Sequence, residues 1–284
     1  MDLKHRFAWF EKEAKNSVSV NFDIYPPCNV HTYEFWLSAP GIANQQISFT
    51  SVPGEYLQDS HYIQVLRELV AKSQIVMIVI DAPHLVEDID SELGYGKYHD
   101  SYNRTKEVTH LLKTDLQNSN SPHMVIFVSV KCEKYYHQNS IDSQSLGMGM
   151  VNTMVKNGYR ELIDFLTQRD VKKYCTTTIT PVLTMGGIEF FEFNDHSYTG
   201  LYSFVLDPNL RNFSPKYCEQ PLLLILLDTI SRAMLKKGSH SIRALFNRTK
   251  IGQLQQYKRK LVEFVEKDPV SGFEILNDPF RLIS

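Results

Sequence analysis

The stretch Ile75-Val-Met-Ile-Val-Ile80, followed directly by Asp81, decides the fold class of this chain. Most of its residues are β-branched and none is polar, which is typical of a strand rather than a helix. An apolar run without alternation predicts a central strand of a parallel sheet that is covered on both faces. We therefore expect helices on both sides of this sheet.

The residues downstream alternate between predicted helices and predicted strands. In order, these are a helix from about Tyr102 to Gln117, a strand from Met124 to Val130, a helix from Asn157 to Arg169 and a strand from Thr176 to Leu183. Parallel strands are joined by right-handed crossovers that contain a helix. The alternation therefore predicts an α/β fold with a three-layer, mostly parallel sheet.

A β-hairpin is predicted upstream, with strands from His31 to Leu37 and from Gln46 to Ser51, and we expect it at one edge of the sheet. The tight turn Val52-Pro53-Gly54-Glu55 follows and leads into a helix from about Ser60 to Lys72. A plain type II turn, with Pro and Gly at its two central positions, is one interpretation of this segment.

The two ends of the chain differ from this pattern. An amphipathic helix is predicted from Leu3 to Ala14, and Ser17 to Tyr25 is predicted as a strand or extended loop. Beyond Gly186-Gly187 the prediction is an apolar helix from Pro221 to Leu235, one or two helices within Ser241 to Lys267, and a small strand from Phe273 to Leu276. We expect an α/β domain over residues 1–200 and a mainly helical C-terminal extension over residues 201–284, packed on it.

The composition is that of an ordinary globular protein. The 284 residues are 43% hydrophobic and 22% charged, with a formal charge of −2, so disorder is not expected. The longest apolar runs are far shorter than the ~20 residues that span a bilayer. The four cysteines lack metal-ligand spacing and are expected to be free thiols in a reducing compartment: Cys28, Cys132, Cys175 and Cys218. No signal peptide is recognised, so we expect a cytoplasmic protein without membrane contact.

Polar residues follow each predicted strand. Ligands of open parallel sheets bind beyond the carboxyl ends of the strands, so these residues are the first place to look for a site. The strand-end segments, in order, are Val52-Pro53-Gly54-Glu55, Asp81, Lys131-Cys132-Glu133 and Thr184-Met185-Gly186-Gly187.

This order of motifs resembles the P-loop GTPases of the translation-factor-related class, and it is closest to the bacterial double-GTPase type found in multi-protein conflict and signalling systems. In that family a D-x-[PA]-G-E turn serves Mg²⁺ and the γ-phosphate, a [TN]-K-x-D motif reads guanine, and a Ser/Thr loop covers the base. The resemblance covers about residues 3–235. It implies GTP or GDP with Mg²⁺ as ligand, with Gly54 and Glu55 on the phosphate side, Lys131 and Glu133 at the base, and Thr184 over it.

The departures from the family pattern concern the phosphate site. The chain contains no G-x-x-x-x-G-K-[ST] loop, and Ser51 stands where the family has its Mg²⁺ carboxylate. Glu133 replaces the base-reading Asp. A strand that normally lies in the middle of the sheet is also missing. Either Ser17 to Tyr25 fills the gap, or the strand comes from an upstream segment or another chain.

Three functions are compatible with these observations. The first is a degenerate GTPase-like domain, without hydrolysis, that acts as a protein-interaction or assembly component of a multi-protein system. The second is an active GTPase whose phosphate-binding loop lies upstream or in a partner chain. The third is binding of a nucleic acid or an acidic partner through residues 229–262, which lack Asp and Glu. That segment contains nine basic residues: Arg232, Lys236, Lys237, Arg243, Arg248, Lys250, Lys258, Arg259 and Lys260.

Two local patterns have structural explanations beside the chemical ones. Asp81, Pro83 and His84 resemble a catalytic cluster, but an Asp after a buried strand is more often a helix cap. His99 and Asp100 lie in a loop where a metal site is conceivable, although their spacing does not require one.

Overall fold

The computed structural model describes residues 19–20, 30–39, 42–118, 124–138, 147–194, 199–204, 215–237, 255–256, 258–260, 262–263 and 271–280. Its strands are β1 (Ser19–Val20), β2 (His31–Ala39), β3 (Ile42–Ser51), β4 (Ile75–Asp81), β5 (Ile89–Asp90), β6 (Tyr95–Gly96), β7 (Met124–Val130), β8 (Thr176–Pro181), β9 (Ile188–Phe193), β10 (Gly200–Phe204) and β11 (Glu274–Asn277).

The helices lie between these strands. A 3-10 helix (Gly54–Leu57) is followed by α1 (Ser60–Lys72), α2 (Ala82–Val86), α3 (His99–Tyr102), α4 (Thr105–Asn118), α5 (Glu133–Gln138), α6 (Gly147–Gly158), α7 (Arg160–Thr167) and α8 (Gln220–Lys237). Among the residues described, no helix is long and apolar enough to cross a membrane.

A four-stranded sheet in the order β11-β8-β7-β4 forms the centre of the molecule. Strands β4, β7 and β8 are parallel, with Ile75 opposite Met124 and Met124 opposite Thr176, and β11 is antiparallel to β8. The α/β class and the mostly parallel sheet are thus confirmed. The run from residue 75 to residue 80 is a strand, as predicted, but among the described strands the prediction of a central position is wrong. Within the described sheet, β4 lies at the edge.

Helices lie on both faces of the middle strands. On one face Phe127 of β7 packs against Tyr159, which lies between α6 and α7, with 5.3 Å between the ring centroids. On the other face Thr180 of β8 donates to Gln220 at the start of α8 (2.8 Å). The side chains of β7 from Met124 to Val128 are accordingly buried. They are the middle of the main hydrophobic core.

Several helix predictions need correction at their ends. The helix from Ser60 to Lys72 is found as predicted, and Pro221 to Leu235 lies within α8. The predicted helix from Asn157 to Arg169 is instead two helices, because the α6 helix ends at Gly158. Nearly all of α6 was missed, from Gly147 to Lys156, since Gly147 and Gly149 disfavour a helix in isolation.

The predicted hairpin is present but does not border the central sheet. Strands β2 and β3 pair with each other, with Tyr33 opposite Phe49, and form a separate two-stranded sheet. The prediction of a hairpin edge on the main sheet is therefore wrong for the strands described. The two sheets stay separate because no described strand forms backbone hydrogen bonds with both β3 and β4.

A third sheet is formed by β1, β10 and β9. Ser19 and Val20, the described part of the predicted segment from Ser17 to Tyr25, pair with Ser203 and Tyr202 of β10. These two residues therefore do not fill the gap beside β4. The predicted helix from Leu3 to Ala14 lies outside the described residues.

The C-terminal region contributes to the central sheet. Its described parts include β10, α8 and β11, and β11 lies close to the predicted strand from Phe273 to Leu276. The division of the chain at residue 200 stays a prediction.

Candidate functional site

Asp81 is the organising residue at the carboxyl end of β4. Its carboxylate Oδ1 accepts from the backbone N–H of His84 (3.3 Å) and is 2.7 Å from Nδ1 of the same residue. Asp81 is thus the N-cap of α2, and the capping interpretation is confirmed. Asn103 holds the backbone of the same residue, accepting from its N–H at 2.8 Å and donating to its carbonyl at 3.3 Å.

Lys131, at the end of the neighbouring strand β7, forms an ion pair with Asp81. The distance from its Nζ to Oδ2 of Asp81 is 2.6 Å, and the Lys131 side chain is only 18% exposed. The backbone of Lys131 has a φ of 61°, an uncommon conformation for a residue other than glycine. Its N–H donates to Oγ1 of Thr184 (3.3 Å). The left-handed backbone conformation of Lys131 and this hydrogen bond together set the direction in which the chain leaves β7.

Both members of this pair are charged. Burial by itself would raise the pKa of Asp81, but the hydrogen bond from His84 and the charge of Lys131 outweigh it and lower the pKa to about 2. Burial would lower the pKa of Lys131, but the charge of Asp81 raises it above its usual value. A buried ion pair with additional hydrogen bonds is a fixed structural unit, because separating it leaves a charge without compensation.

Aromatic rings from the small sheet lie over the charged pair. The Tyr202 ring of β10 lies 5.3 Å from Nζ of Lys131. Phe193 of β9 lies 4.8 Å from the His84 ring, between ring centroids. Tyr102 stacks on His84 with a centroid distance of 3.5 Å. The carboxyl ends of β4 and β7 are therefore covered by side chains of the same protein.

Glu133 holds the loop that follows β8. Its buried carboxylate accepts hydrogen bonds from the backbone N–H of Met185 and of Gly186, the latter at 3.1 Å. Gly186 has a φ of 68°, which a glycine adopts without strain. Lys131, Glu133 and Thr184 are therefore brought together, as the strand-end order predicted, but each is engaged by another part of the protein.

Gly54 and Glu55 lie in the 3-10 helix after β3. Gly54 is exposed and lacks the positive φ that a type II turn requires at its third residue, so that interpretation is wrong. Burial, and then the negative charges of Asp81 and Glu55, raise the pKa of Tyr102, with Lys131 opposing them. The charge of Glu55 therefore acts on the aromatic cover of the site.

His99 is buried beside this cluster, and sequence reasoning did not find its role. The N–H of Asp81 donates to Oδ1 of Asn103, so the amide nitrogen of Asn103 faces Nδ1 of His99 at 2.9 Å. Because an amide nitrogen can only donate, Nδ1 accepts and the ring proton is on Nε2. Burial lowers the pKa of His99 to about 4, which keeps the ring neutral.

The metal interpretation of His99 and Asp100 finds no geometric support. Within the part of the chain that the structure describes, no three His, Cys, Asp or Glu residues are grouped so as to hold a metal ion. Instead, Asp100 lies 3.4 Å from the Tyr95 hydroxyl, which donates to it. Asn103 and Tyr202 are the residues that a sequence argument misses, because nothing in their own segments marks them.

One groove at the surface of the described residues lies away from this site. A groove of about 310 Å³ runs between α4 and α7, and none of the residues described above lines it. Its lining consists of Lys106, Thr109, His110, Lys113, Thr114 and Glu161. Lys113 and Glu161 pair across it at 2.7 Å.

The basic segment is described only in part. The side chains of Lys258, Arg259 and Lys260 are partly or fully exposed. The other six basic side chains of the segment lie outside the described side chains. Binding of an acidic partner or a nucleic acid there stays a prediction.

Comparisons of this chain with protein-family models, with curated proteins and with solved structures give no match. Its function is therefore argued from the geometry of its residues.

Proposed function

We propose that this chain is a GTPase-like domain without hydrolytic activity that acts as a protein-binding component of a larger assembly. The observation that carries the proposal is the ion pair between Lys131 and Asp81, at 2.6 Å. In the GTPases that the sequence resembles, the corresponding lysine packs on the guanine ring. Here the ammonium group is neutralised by Asp81, and the ring that lies over it belongs to Tyr202.

The second base-reading group is equally engaged. A carboxylate that reads guanine must accept hydrogen bonds from the base, yet Glu133 already accepts from two backbone N–H groups. Releasing the carboxylate would leave those buried N–H groups without a partner, at a cost of about 1–3 kcal/mol each. Guanine would thus compete with contacts that stabilise the fold.

The phosphate side lacks the groups that hydrolysis needs. Phosphoryl transfer depends on positioned N–H donors, a lysine and Mg²⁺ to balance the charge of the transition state. The sequence contains no G-x-x-x-x-G-K-[ST] loop, and Ser51 offers a neutral hydroxyl where the family has its carboxylate. Gly54 and Glu55 alone do not form a cradle for phosphate.

Nucleotide titration tests this proposal. Fluorescent GTP and ATP analogues with Mg²⁺ are titrated into the purified chain, and release of phosphate from GTP is followed separately. We expect no saturable binding and no turnover above buffer. Turnover that Lys131→Arg abolishes and Lys134→Arg preserves would refute the proposal. Lys134 is a suitable control because it forms its own ion pair with Glu87 at 2.7 Å.

The edge position of β4 favours one second candidate, an active GTPase whose phosphate-binding loop comes from an upstream segment or a partner chain. A strand of that kind would need a place in the sheet, and β4 pairs on only one side among the described strands. Turnover that appears only when the partner is added would support this candidate.

A further inference from the structure

The groove between α4 and α7 is lined by polar side chains. Its volume is about 310 Å³, and α4 contributes five of its six lining residues at the spacing of one helix face. No apolar residue of the described chain lines it. Sites for small molecules have volumes of about 300–1,000 Å³, so the groove is at the lower end of that range. It therefore suits a small and highly polar ligand.

Thr109 forms the floor of the groove. It is a lining residue, although only 5% of its surface is exposed. Its side chain forms no hydrogen bond with any residue that the structure describes. A polar group that is buried without a partner costs free energy, and in native proteins a ligand or a water molecule commonly completes it. The solvated face of a helix would explain exposed polar residues, but not this hydroxyl beneath them.

Two basic side chains lie on either side of Thr109 along α4. Lys106 and His110 are both exposed, and residues four apart on a helix have Cβ atoms about 6 Å from each other. Neither side chain forms an ion pair or a hydrogen bond with a described residue. Lys113 and Glu161, by contrast, neutralise each other at 2.7 Å. The excess positive charge of the groove therefore lies beside Thr109.

We propose that this groove binds a small phosphate monoester whose body carries hydroxyl groups, such as a sugar phosphate. The three terminal oxygens of the phosphate group accept hydrogen bonds from the ammonium group of Lys106, the imidazole N–H of His110 and the hydroxyl of Thr109. The inference goes beyond the protein-binding role proposed above. It does not rest on that role, because the groove lies away from the carboxyl ends of the strands.

The other lining residues select the body of the ligand. The carboxylate of Glu161 accepts hydrogen bonds and the ammonium group of Lys113 donates them, and a sugar hydroxyl can take part in both. The hydroxyl of Thr114 donates to the backbone carbonyl of His110 (2.9 Å), so towards the ligand it serves as an acceptor. A nucleobase would find no apolar or aromatic surface to pack on, so a nucleotide is disfavoured.

Isothermal titration calorimetry of the purified full chain, at pH 7 and low salt, tests the class of ligand. The probes are glucose 6-phosphate, ribose 5-phosphate and glycerol 3-phosphate, and the comparisons are glucose and a phosphoserine peptide. We expect at least one probe to saturate with a Kd below about 1 mM and to bind at least about tenfold more tightly than both comparisons. No saturable binding of any probe, equal affinity for glucose, or tighter binding of the peptide would overturn the proposal.

Thr109→Val tests the floor of the groove, because it removes the hydroxyl and keeps the shape of the side chain. The hydroxyl has no described partner, so the Tm should not fall, whereas the affinity for the best-binding probe should fall about tenfold. The matched control is Thr153→Val, which removes a helix hydroxyl that donates to the carbonyl of Gly149 (2.9 Å) outside the groove. Equal affinity of the two variants would refute the contact at Thr109.

Lys106→Gln tests the charge that faces the phosphate group. The affinity for the same probe should fall at least about tenfold, since a charge-assisted hydrogen bond is lost. The control is Lys72→Gln on α1, where the lysine side chain is 79% exposed and lies outside the groove. If the two lysine variants bind the probe equally well, the ligand does not occupy this groove and the proposal is wrong.

Discussion

Asp81, at the carboxyl end of β4, and Val79, two residues before it, differ in how far the rest of the protein covers them. At the end of the strand the buried Asp81 is held by Lys131, His84 and Asn103. Two residues earlier Val79 is 60% exposed, on a strand that is paired on one side among the described strands. The comparison teaches that the polar groups at the end of the strand are engaged within the protein, whereas the apolar side chain of Val79 is left largely exposed among the described residues.

The largest loss of stability is expected from breaking the ion pair between Lys131 and Asp81 at the carboxyl end of β4. Lys131→Met leaves Asp81 buried without its cationic partner, and breaking a buried ion pair in this way costs about 3 kcal/mol of the free energy of unfolding. The exposed pair between Lys173 and Asp170 is the control, and Lys173→Met should cost less than about 1 kcal/mol. Urea denaturation measures both variants. Equal losses would show that the pair at Asp81 is no more than a surface contact.

Acidification is expected to lower the free energy of unfolding through protonation of His99, which lies beside the carboxyl end of β4. Burial lowers the pKa of this residue from 6.5 to about 4, so the unfolded chain binds a proton that the folded chain resists. The stability that depends on the neutral ring is complete above pH 6.5 and is lost as the pH falls toward 4. By pH 4.5 this linkage removes about 2.5 kcal/mol of the free energy of unfolding.

Urea denaturation at pH 7 and at pH 4.5 measures this loss. His99→Asn removes the titrating ring, so its stability should fall less between the two pH values, whatever its stability at pH 7. Asp81 affects the pH dependence only below this range. Its pKa is lowered from 3.8 to about 2, so the stability that its charged form contributes is lost only as the pH falls below 3.8. An unchanged dependence in His99→Asn would contradict the assignment to His99.

Two glycines should respond very differently to an added methyl group. A Cβ at Gly96 would collide with the backbone carbonyl oxygens of His84 and Glu87, the latter at 2.6 Å. Backbone cannot give way as a side chain can, so Gly96→Ala is expected to cost about 2 kcal/mol. Thermal and urea denaturation measure the loss.

Gly54→Ala is the matched control for that substitution. Nothing lies within 4 Å of the added Cβ, and the backbone of Gly54 is not left-handed. The change in the free energy of unfolding should stay within about 0.5 kcal/mol. A large loss at Gly54 would mean that this turn is packed against a part of the protein outside the described residues.

Local sequence determined what could be predicted of the fold. The helix from Ser60 to Lys72 was predicted from its own segment after the turn at Pro53-Gly54, and the structure adds that Asp59 caps it, accepting from the N–H of His61 at 2.8 Å. The strand from Met124 to Val130 was found because a short apolar run buried on both faces has few other structures available. Both signals lie within the segments themselves.

Contacts between distant segments determined what could not be predicted. The order of strand ends predicted that Lys131 and Glu133 lie near Asp81 and Thr184. It did not predict that Lys131 pairs with a carboxylate fifty residues away in the sequence. The same limit explains the error at β4. Its apolar run is compatible with burial on both faces, but whether a face is covered depends on other elements, and Val79 is exposed.

The smallest effect, and the sharpest test of the comparison, is expected at Val79 itself. Val79→Lys should change the free energy of unfolding by no more than about 0.5 kcal/mol, because the side chain is already mostly in solvent. Ile80→Val removes a single methylene on the covered face and should cost about 1 kcal/mol. A charge at the exposed Val79 position would then be tolerated better than the loss of one methylene at the buried Ile80 position. If urea denaturation instead shows Val79→Lys to be the more damaging change, Val79 is packed against a part of the protein outside the described residues.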